Sequence, residues 1–189
     1  MKEVFEIKII GRGGQGGKTA AEILASVALS KGKFVQSFPE FGAERKGAPV
    51  KAYVRISDKE IRIHSGVTNP DVVVVIDETF LSAMNVVEGL PKEGKLIINT
   101  ARKAEEIKRD VSFSGEIYIV DATKIALEVL GSPHTNTAML GAIEKATNYF
   151  GIDSLKLEIK NMFIRKLGEA GVQKNINAIE RAFSEVKTC

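Results

Sequence analysis

Five of the seven residues from Gly11 to Gly17 are glycine, and they stand between a strand pattern and a helix pattern. Val4–Ile10 carries Val4, Phe5, Ile7, Ile9 and Ile10, which become continuous toward its end and read as a strand. A helix is expected from Lys18 or Thr19 through Ser30, with Ile23, Leu24, Val27 and Ala28 on its apolar face and Gly32 as its C-terminal stop. Lys33–Phe38 reads as a second strand. The first forty residues therefore spell β–loop–α–β, the opening of an α/β sheet.

Gly11-Arg12-Gly13-Gly14-Gln15-Gly16 satisfies G-x-G-x-x-G in the context that gives the pattern meaning. Glycines let the backbone turn tightly and approach a ligand, while N–H groups at the helix start point at an anion. Three readings compete. A nicotinamide site needs a carboxylate at the end of the second strand, yet that strand ends Gln36-Ser37-Phe38, and Glu40 lies beyond Pro39. A phosphate-wrapping ATPase loop is imitated by Gly17-Lys18-Thr19 and by the apolar run Val72–Ile76 before Asp77-Glu78. Its first glycine should occupy position 12, however, where Arg12 stands, and starting from Gly11 makes the loop one residue too long. The third reading is a tight turn that binds no ligand. Within the loop, Gln15 either donates to a phosphate or closes the turn, and Lys18 is either a phosphate ligand or a first-turn surface lysine.

Downstream, Phe38–Pro49 packs two prolines, two glycines and four charges into twelve positions, and its adjacent Glu44 and Arg45 cannot both face the same neighbour. Val50–Ile56 alternates, with Val50, Ala52, Val54 and Ile56 on one side and Lys51, Tyr53 and Arg55 on the other. With Ile61–His64 as the return arm it reads as a half-exposed antiparallel hairpin. Asp71–Asp77 is a continuous β-branched run, as in a parallel strand buried on both faces. Helix is expected over Glu78–Val87 and Ala122–Leu130, and strand over Lys95–Asn99 and Ile117–Val120. Asp77 is expected to cap the helix that follows it. From about residue 135 to 189 the pattern is helical: Thr135–Phe150, Ser154–Leu167 and Val172–Val186, with breaks at Gly151 and Gly168–Gly171. Asn136, at the start of the first of these, is a candidate ligand contact.

The fold class is thus α/β: one domain over residues 1–189, with a mostly parallel Rossmann-like sheet, an antiparallel hairpin and a helical C-terminal third. Composition narrows the chemistry. Of 189 residues one is cysteine, Cys189, and two are histidine. That argues against disulfides, a thiolate-bound zinc and an iron–sulfur cluster held by this chain, and no metal site is expected. Lys and Arg number 27 against 24 Asp and Glu, too small an excess to suggest nucleic acid as a partner. Ala101–Asp110 alternates in sign and reads as a solvated helix face. The N-terminus is not a signal peptide and no run suits a membrane, so a cytoplasmic protein is expected.

Taken together, GRGGQGGKTAAEILA, SFPEFGAERKGAPVKAYVRISD, DVVVVID and the helix start Asn136-Thr137-Ala138-Met139-Leu140-Gly141 resemble the gamma subunit of the 2-oxoacid:ferredoxin oxidoreductases, pyruvate synthase type. The likeness is most specific in the F-G-x-E-R-x-G loop and fades in the C-terminal helices. It implies a multi-subunit enzyme that converts a 2-oxoacid, here pyruvate, and CoA to acyl-CoA, carbon dioxide and reduced ferredoxin. It further implies alpha, beta and delta partner subunits, with thiamine diphosphate, Mg2+ and [4Fe-4S] clusters held on those partners and ferredoxin as electron acceptor. This chain would hold no catalytic residue. Gly11, Arg12, Gly13, Gly14, Gln15, Gly16 and Lys18 would receive CoA phosphates, and Glu44, Arg45 and Asn136 would line the substrate channel or the docking surface toward the alpha subunit.

Overall fold

A computed structural model describes residues 3–40 and 49–189; Glu44 and Arg45 lie outside the described residues. The chain runs β1 (Val4–Arg12), α1 (Gly17–Ser30), β2 (Phe34–Glu40), β3 (Pro49–Ser57), β4 (Val72–Val75), α2 (Phe80–Ala83), β5 (Lys95–Asn99), α3 (Ala104–Asp110), β6 (Glu116–Val120), α4 (Ala122–Leu130), α5 (Asn136–Thr147), α6 (Ile152–Glu185) and β7 (Lys187–Thr188). One sheet carries the described strands in the order β2-β3-β1-β4-β5-β6-β7.

The sheet is mixed. β1, β4, β5 and β6 form a parallel block, as their continuous apolar runs require. β2 and β3 join it antiparallel, β3 against β1 and β2 against β3, and β7 closes the other edge antiparallel to β6. The antiparallel hairpin is therefore β2 with β3. Ile61–His64, expected as its return arm, forms no strand. Here the turn signal at Ser57-Asp58 marks only the end of β3.

Helices α1, α4, α5 and α6 cover one face of the sheet. Their core residues Ile23, Leu24, Ile125, Met139, Leu140, Leu155 and Ile179, with Phe150 between α5 and α6, pack against Ile7, Ile9, Val54, Ile56, Val74 and Ile97. The other face is covered by α2, α3 and the chain around them, through Phe80, Leu81, Val86, Leu90 and Ile107 on Ile10, Val73, Val75, Leu96 and Ile98. Helix after Asp77 is shorter than expected: α2 ends at Ala83, and Met84 is already extended.

β3 departs from its alternating pattern. Tyr53 and Arg55, expected on a solvated side, are 3% and 2% exposed. A charge can be buried only with partners. Arg55 Nε donates to Glu6 Oε1 (2.8 Å), and Nη2 donates to the Ser65 carbonyl (2.7 Å) from the segment that crosses this face. The guanidinium also lies 5.2 Å over the Phe38 ring.

Two glycines set how the helices meet. A Cβ at Gly141 would lie 2.1 Å from the Ile179 carbonyl oxygen, so α5 and α6 cross at backbone contact. Gly168 takes φ 64° and ψ −179°, which breaks α6 into two helical arms, as the expected break at Gly168–Gly171 requires.

Candidate functional site

The parallel strands end on one edge of the sheet, where open α/β sheets bind ligands. The glycine turn sits there. The Gln15 N–H donates to the Arg12 carbonyl (3.1 Å), with Gly14 at φ 88° in the third position, the geometry of a type II turn. The Arg12 N–H donates to Gln15 Oε1 (2.7 Å), so the Gln15 side chain closes the loop it belongs to. Gly16 follows at φ 78° as the cap of α1, and, having no side chain, gives the first turn no capping bond.

Asp77, two residues beyond β4, holds the turn from below. Its Oδ2 accepts from Arg12 Nε (2.7 Å) and Gln15 Nε2 (3.0 Å), and its Oδ1 accepts from the Thr79 N–H (3.1 Å) and hydroxyl (2.5 Å). Burial alone would raise its pKa. The hydrogen bonds from Thr79, Gln15 and Arg12 outweigh burial and hold the carboxyl below its ordinary value. Asp77 was expected to cap the next helix; it satisfies the N–H of Thr79 ahead of α2, and its larger role is to anchor the glycine turn.

Arg12 and Lys18, the cations expected to meet phosphate, each have an acidic neighbour in the chain. Arg12 pairs with Asp77 and its guanidinium lies 5.0 Å over the Phe80 ring, so its charge is matched within the chain. Lys18 sits on the outer side of α1, well exposed, 3.6 Å from Glu22 one turn on. It lines neither of the cavities described next. Gln15 likewise closes the turn.

Two cavities flank the turn. The first, about 720 Å³, runs along the ends of β4, β5 and β6 and is lined by Gln15, Asp77, Glu78, Asn99, Asp121 and Glu128 among others. Its carboxylates all have internal partners: Glu78 accepts from the Thr100 hydroxyl, Asp121 caps α4 by accepting the Lys124 N–H (2.8 Å), and Glu128 pairs with Arg181 (2.6 Å). Lys124 adds one cation to this lining, so the wall is predominantly acidic and disfavours an anion.

The second cavity, about 570 Å³, lies between Gly14 and Gly16 on one side and the broken helix α6 on the other, with His134, Asn136, Lys166 and Lys174 on its wall. Its sign is opposite. Neither Lys166 nor Lys174 has an ion-pair partner among the described residues. Asn136, singled out from sequence, reaches the turn itself: a Cβ on Gly16 would stand 2.7 Å from its Cγ. The two lysines were not anticipated, and the only signal for them was their position on either side of the Gly168–Gly171 break. Among the described residues no group of three or more His, Cys, Asp or Glu side chains could hold a metal, and no helix is long and apolar enough to cross a membrane.

Comparison with known proteins adds to this geometry. The family model "Pyruvate ferredoxin/flavodoxin oxidoreductase" matches residues 6–185. The pyruvate/ketoisovalerate oxidoreductases common subunit gamma of Thermococcus kodakarensis is 49% identical over 183 residues, 96% of this chain and 97% of that protein. The crystal structure of pyruvate oxidoreductase subunit PORC from Thermotoga maritima superposes with a TM-score of 0.89 at 43% identity, covering 99% of both chains. The fold also recurs within a 2-oxoglutarate:ferredoxin oxidoreductase from Magnetococcus marinus, solved with 2-oxoglutarate, coenzyme A and succinyl-CoA bound. There the TM-score is 0.75 at 21% identity, covering 97% of this chain and 31% of that one.

Proposed function

Since the chain belongs to the pyruvate ferredoxin/flavodoxin oxidoreductase family, we propose that it is the gamma subunit of a cytoplasmic 2-oxoacid:ferredoxin oxidoreductase and works on the CoA side of the complex. The complex takes a 2-oxoacid, CoA and oxidised ferredoxin to acyl-CoA, carbon dioxide and reduced ferredoxin. Pyruvate is the 2-oxoacid in this reading: it recurs in the names of similar proteins, alone or beside ketoisovalerate. Thiamine diphosphate, Mg2+ and the [4Fe-4S] clusters belong to alpha, beta and delta partners in this reading. The single cysteine of the sequence, residue 189, supports placing the clusters elsewhere, since one thiolate cannot hold a [4Fe-4S] cluster.

The observation that carries a binding role is Gly13. A Cβ there would meet nothing within 4 Å, and its φ is outside the left-handed region, so neither packing nor backbone geometry in this chain calls for glycine. A bare backbone at the tip of the turn suits the close approach of a ligand or a partner. Gly11, Arg12, Gly14, Gln15 and Gly16 shape and hold that tip. Glu44 and Arg45 are assigned to docking or to the substrate channel. In support, β2 ends at Glu40, β3 begins at Pro49, and Pro49 pairs with Arg12 beside the turn.

The test is reconstitution of the complex with and without this chain, reading viologen or ferredoxin reduction against pyruvate, 2-oxoisovalerate and 2-oxoglutarate, with and without CoA. CoA-dependent reduction that is fastest with pyruvate and needs this chain is expected. Full CoA-dependent activity without it, or turnover of ATP by the chain alone, would contradict the proposal.

A further inference from the structure

We infer that the elbow of α6, residues 160–170, is a docking surface that seats against an acidic groove of another subunit of the complex, with Lys160 and Arg165 as its charges and Met162 and Leu167 as its apolar anchors. The inference rests on the proposed function, which makes this chain one of several. It adds which surface meets a partner and what that partner presents.

The elbow projects. Lys156 Nζ donates to Glu180 Oε1 (2.8 Å), although one unbroken helix would hold these residues about 36 Å apart. The break at Gly168 therefore folds α6 back on itself as a helical hairpin. Of residues 160–170 at its bend, only Phe163 and Ile164 are partly buried, and the other nine are exposed. The bend is also held in shape. A Cβ on Gly171 would stand 2.6 Å from Leu167 Cβ, so the missing side chain lets Leu167 lie across the bend. Asn175 Nδ2 donates to the Gly171 carbonyl (2.8 Å), and its Oδ1 accepts from the Thr137 hydroxyl (2.9 Å), which ties the second arm to α5. A surface shaped before it binds loses little freedom on docking.

Charge identifies the partner. Between residues 160 and 174 stand Lys160, Arg165, Lys166 and Lys174 against Glu169 alone, an excess of three cations, and the whole chain, with 27 cations against 24 carboxylates, has no more. None of these five has an ion-pair partner among the described residues. The remaining cations of α6 do: Lys156 meets Asp153 and Glu180, and Arg181 meets Glu128 and Glu185. Lys160 and Arg165 line neither cavity beside the glycine turn, so a ligand there does not account for them. Among the described residues seven large apolar side chains are exposed, and three of them, Leu157, Met162 and Leu167, lie on this one arm. Cations alone would suit any polyanion. Cations beside exposed apolar side chains suit a protein, whose apolar contacts supply affinity while carboxylates at the rim set the register.

The experiment measures the affinity of the full-length chain for the other subunits of the complex, for the parent, for Lys160→Glu with Arg165→Glu, and for Met162→Asp. All three side chains are exposed, so circular dichroism and melting of the chain alone should match the parent. Each variant should raise Kd about tenfold or more. Added salt should weaken the parent and leave the charge-reversed variant nearly unchanged. A Kd within twofold of the parent for both variants, or tighter binding by the charge-reversed one, overturns the elbow as the docking surface. Self-association of the chain alone that both variants abolish, with heteromeric Kd unchanged, also overturns it and makes a second copy the occupant. A parent chain that joins no complex strikes the proposed function as well, whereas variants that assemble as tightly as an active parent strike the elbow alone.

Discussion

Arg12 Nε lies 2.7 Å from Asp77 Oδ2, bonding the last residue of β1 to the residue two beyond β4. Gln15 enters the same carboxylate from above, so the glycine turn is held by the protein rather than waiting for a ligand to order it. The arrangement also uses a cation that the sequence offered to the ligand. Binding strength at the turn must then come from backbone N–H groups and from cations elsewhere.

Asp77→Asn tests this anchor. It keeps the size of the side chain but removes the charge that Arg12 faces. Arg12 is 40% exposed, so solvent screens the pair, and a loss of about 1 kcal/mol is expected. The sign with pH follows from the lowered carboxyl. The stabilisation is complete above the unfolded value, about 3.9, and is lost as pH falls through the lower folded value. Urea midpoints between pH 7 and pH 3 should therefore fall less steeply in acid for the variant than for the parent. Parallel curves would remove Asp77 as the anchor.

Gly16→Ala meets two obstacles: a left-handed backbone and the Asn136 side chain 2.7 Å from the new methyl. The backbone alone costs roughly 1–2 kcal/mol. Adding Asn136→Ala should recover the steric part and leave the backbone part, giving a double-mutant coupling above about 0.5 kcal/mol. Additive losses in thermal denaturation would mean that the two residues do not touch.

Arg55→Leu should be among the most damaging single changes on the sheet, about 3–5 kcal/mol, because it leaves Glu6 buried without its guanidinium partner. Arg55→Leu with Glu6→Leu should lose much less than the sum of the two singles. Chemical denaturation of the four proteins gives the comparison, and an equal or larger loss in the double variant would contradict a pair-driven cost.

Arg55 also shows where sequence reasoning ended. Alternation in Val50–Ile56 correctly separated the two faces of β3, but periodicity says only which residues share a face. Whether that face meets water depended on Glu6, forty-nine positions earlier, and on a segment with no regular pattern of its own. The continuous run at Val72–Val75 was legible for the opposite reason: a strand apolar on both sides has only a buried parallel place to go. At the site, the glycine turn and the α6 break were readable, since positive φ is a local demand, while Asn136 was singled out without its contact with Gly16. The Arg12–Asp77 bond and the pairing of Lys166 with Lys174 across one cavity were not, because both depend on which distant ends the fold brings together.

Lys18→Ala separates the phosphate-wrapping reading from the one adopted. The side chain is 63% exposed and pairs only with Glu22 on its own helix. Stability should change by no more than about 0.5 kcal/mol, and the complex should keep its KM for CoA within twofold. A tenfold rise would return Lys18 to the ligand.

Gly13→Ala gives the sharpest contrast between stability and function. In the chain alone the added methyl meets nothing, and replacing a glycine whose φ suits other residues stabilises by about 0.4–1 kcal/mol through the unfolded state. If the tip of the turn is kept bare for a ligand or a neighbouring subunit, that same methyl obstructs the approach. The isolated chain should then melt at the same or a higher temperature, while the complex shows a higher KM for CoA or assembles less completely. These two failures are told apart by size-exclusion of the reconstituted mixture before the kinetics are read. A variant that is as stable, as well assembled and as tight for CoA as the parent would leave Gly13 with no function to explain it. The glycine turn would then be a device for folding alone.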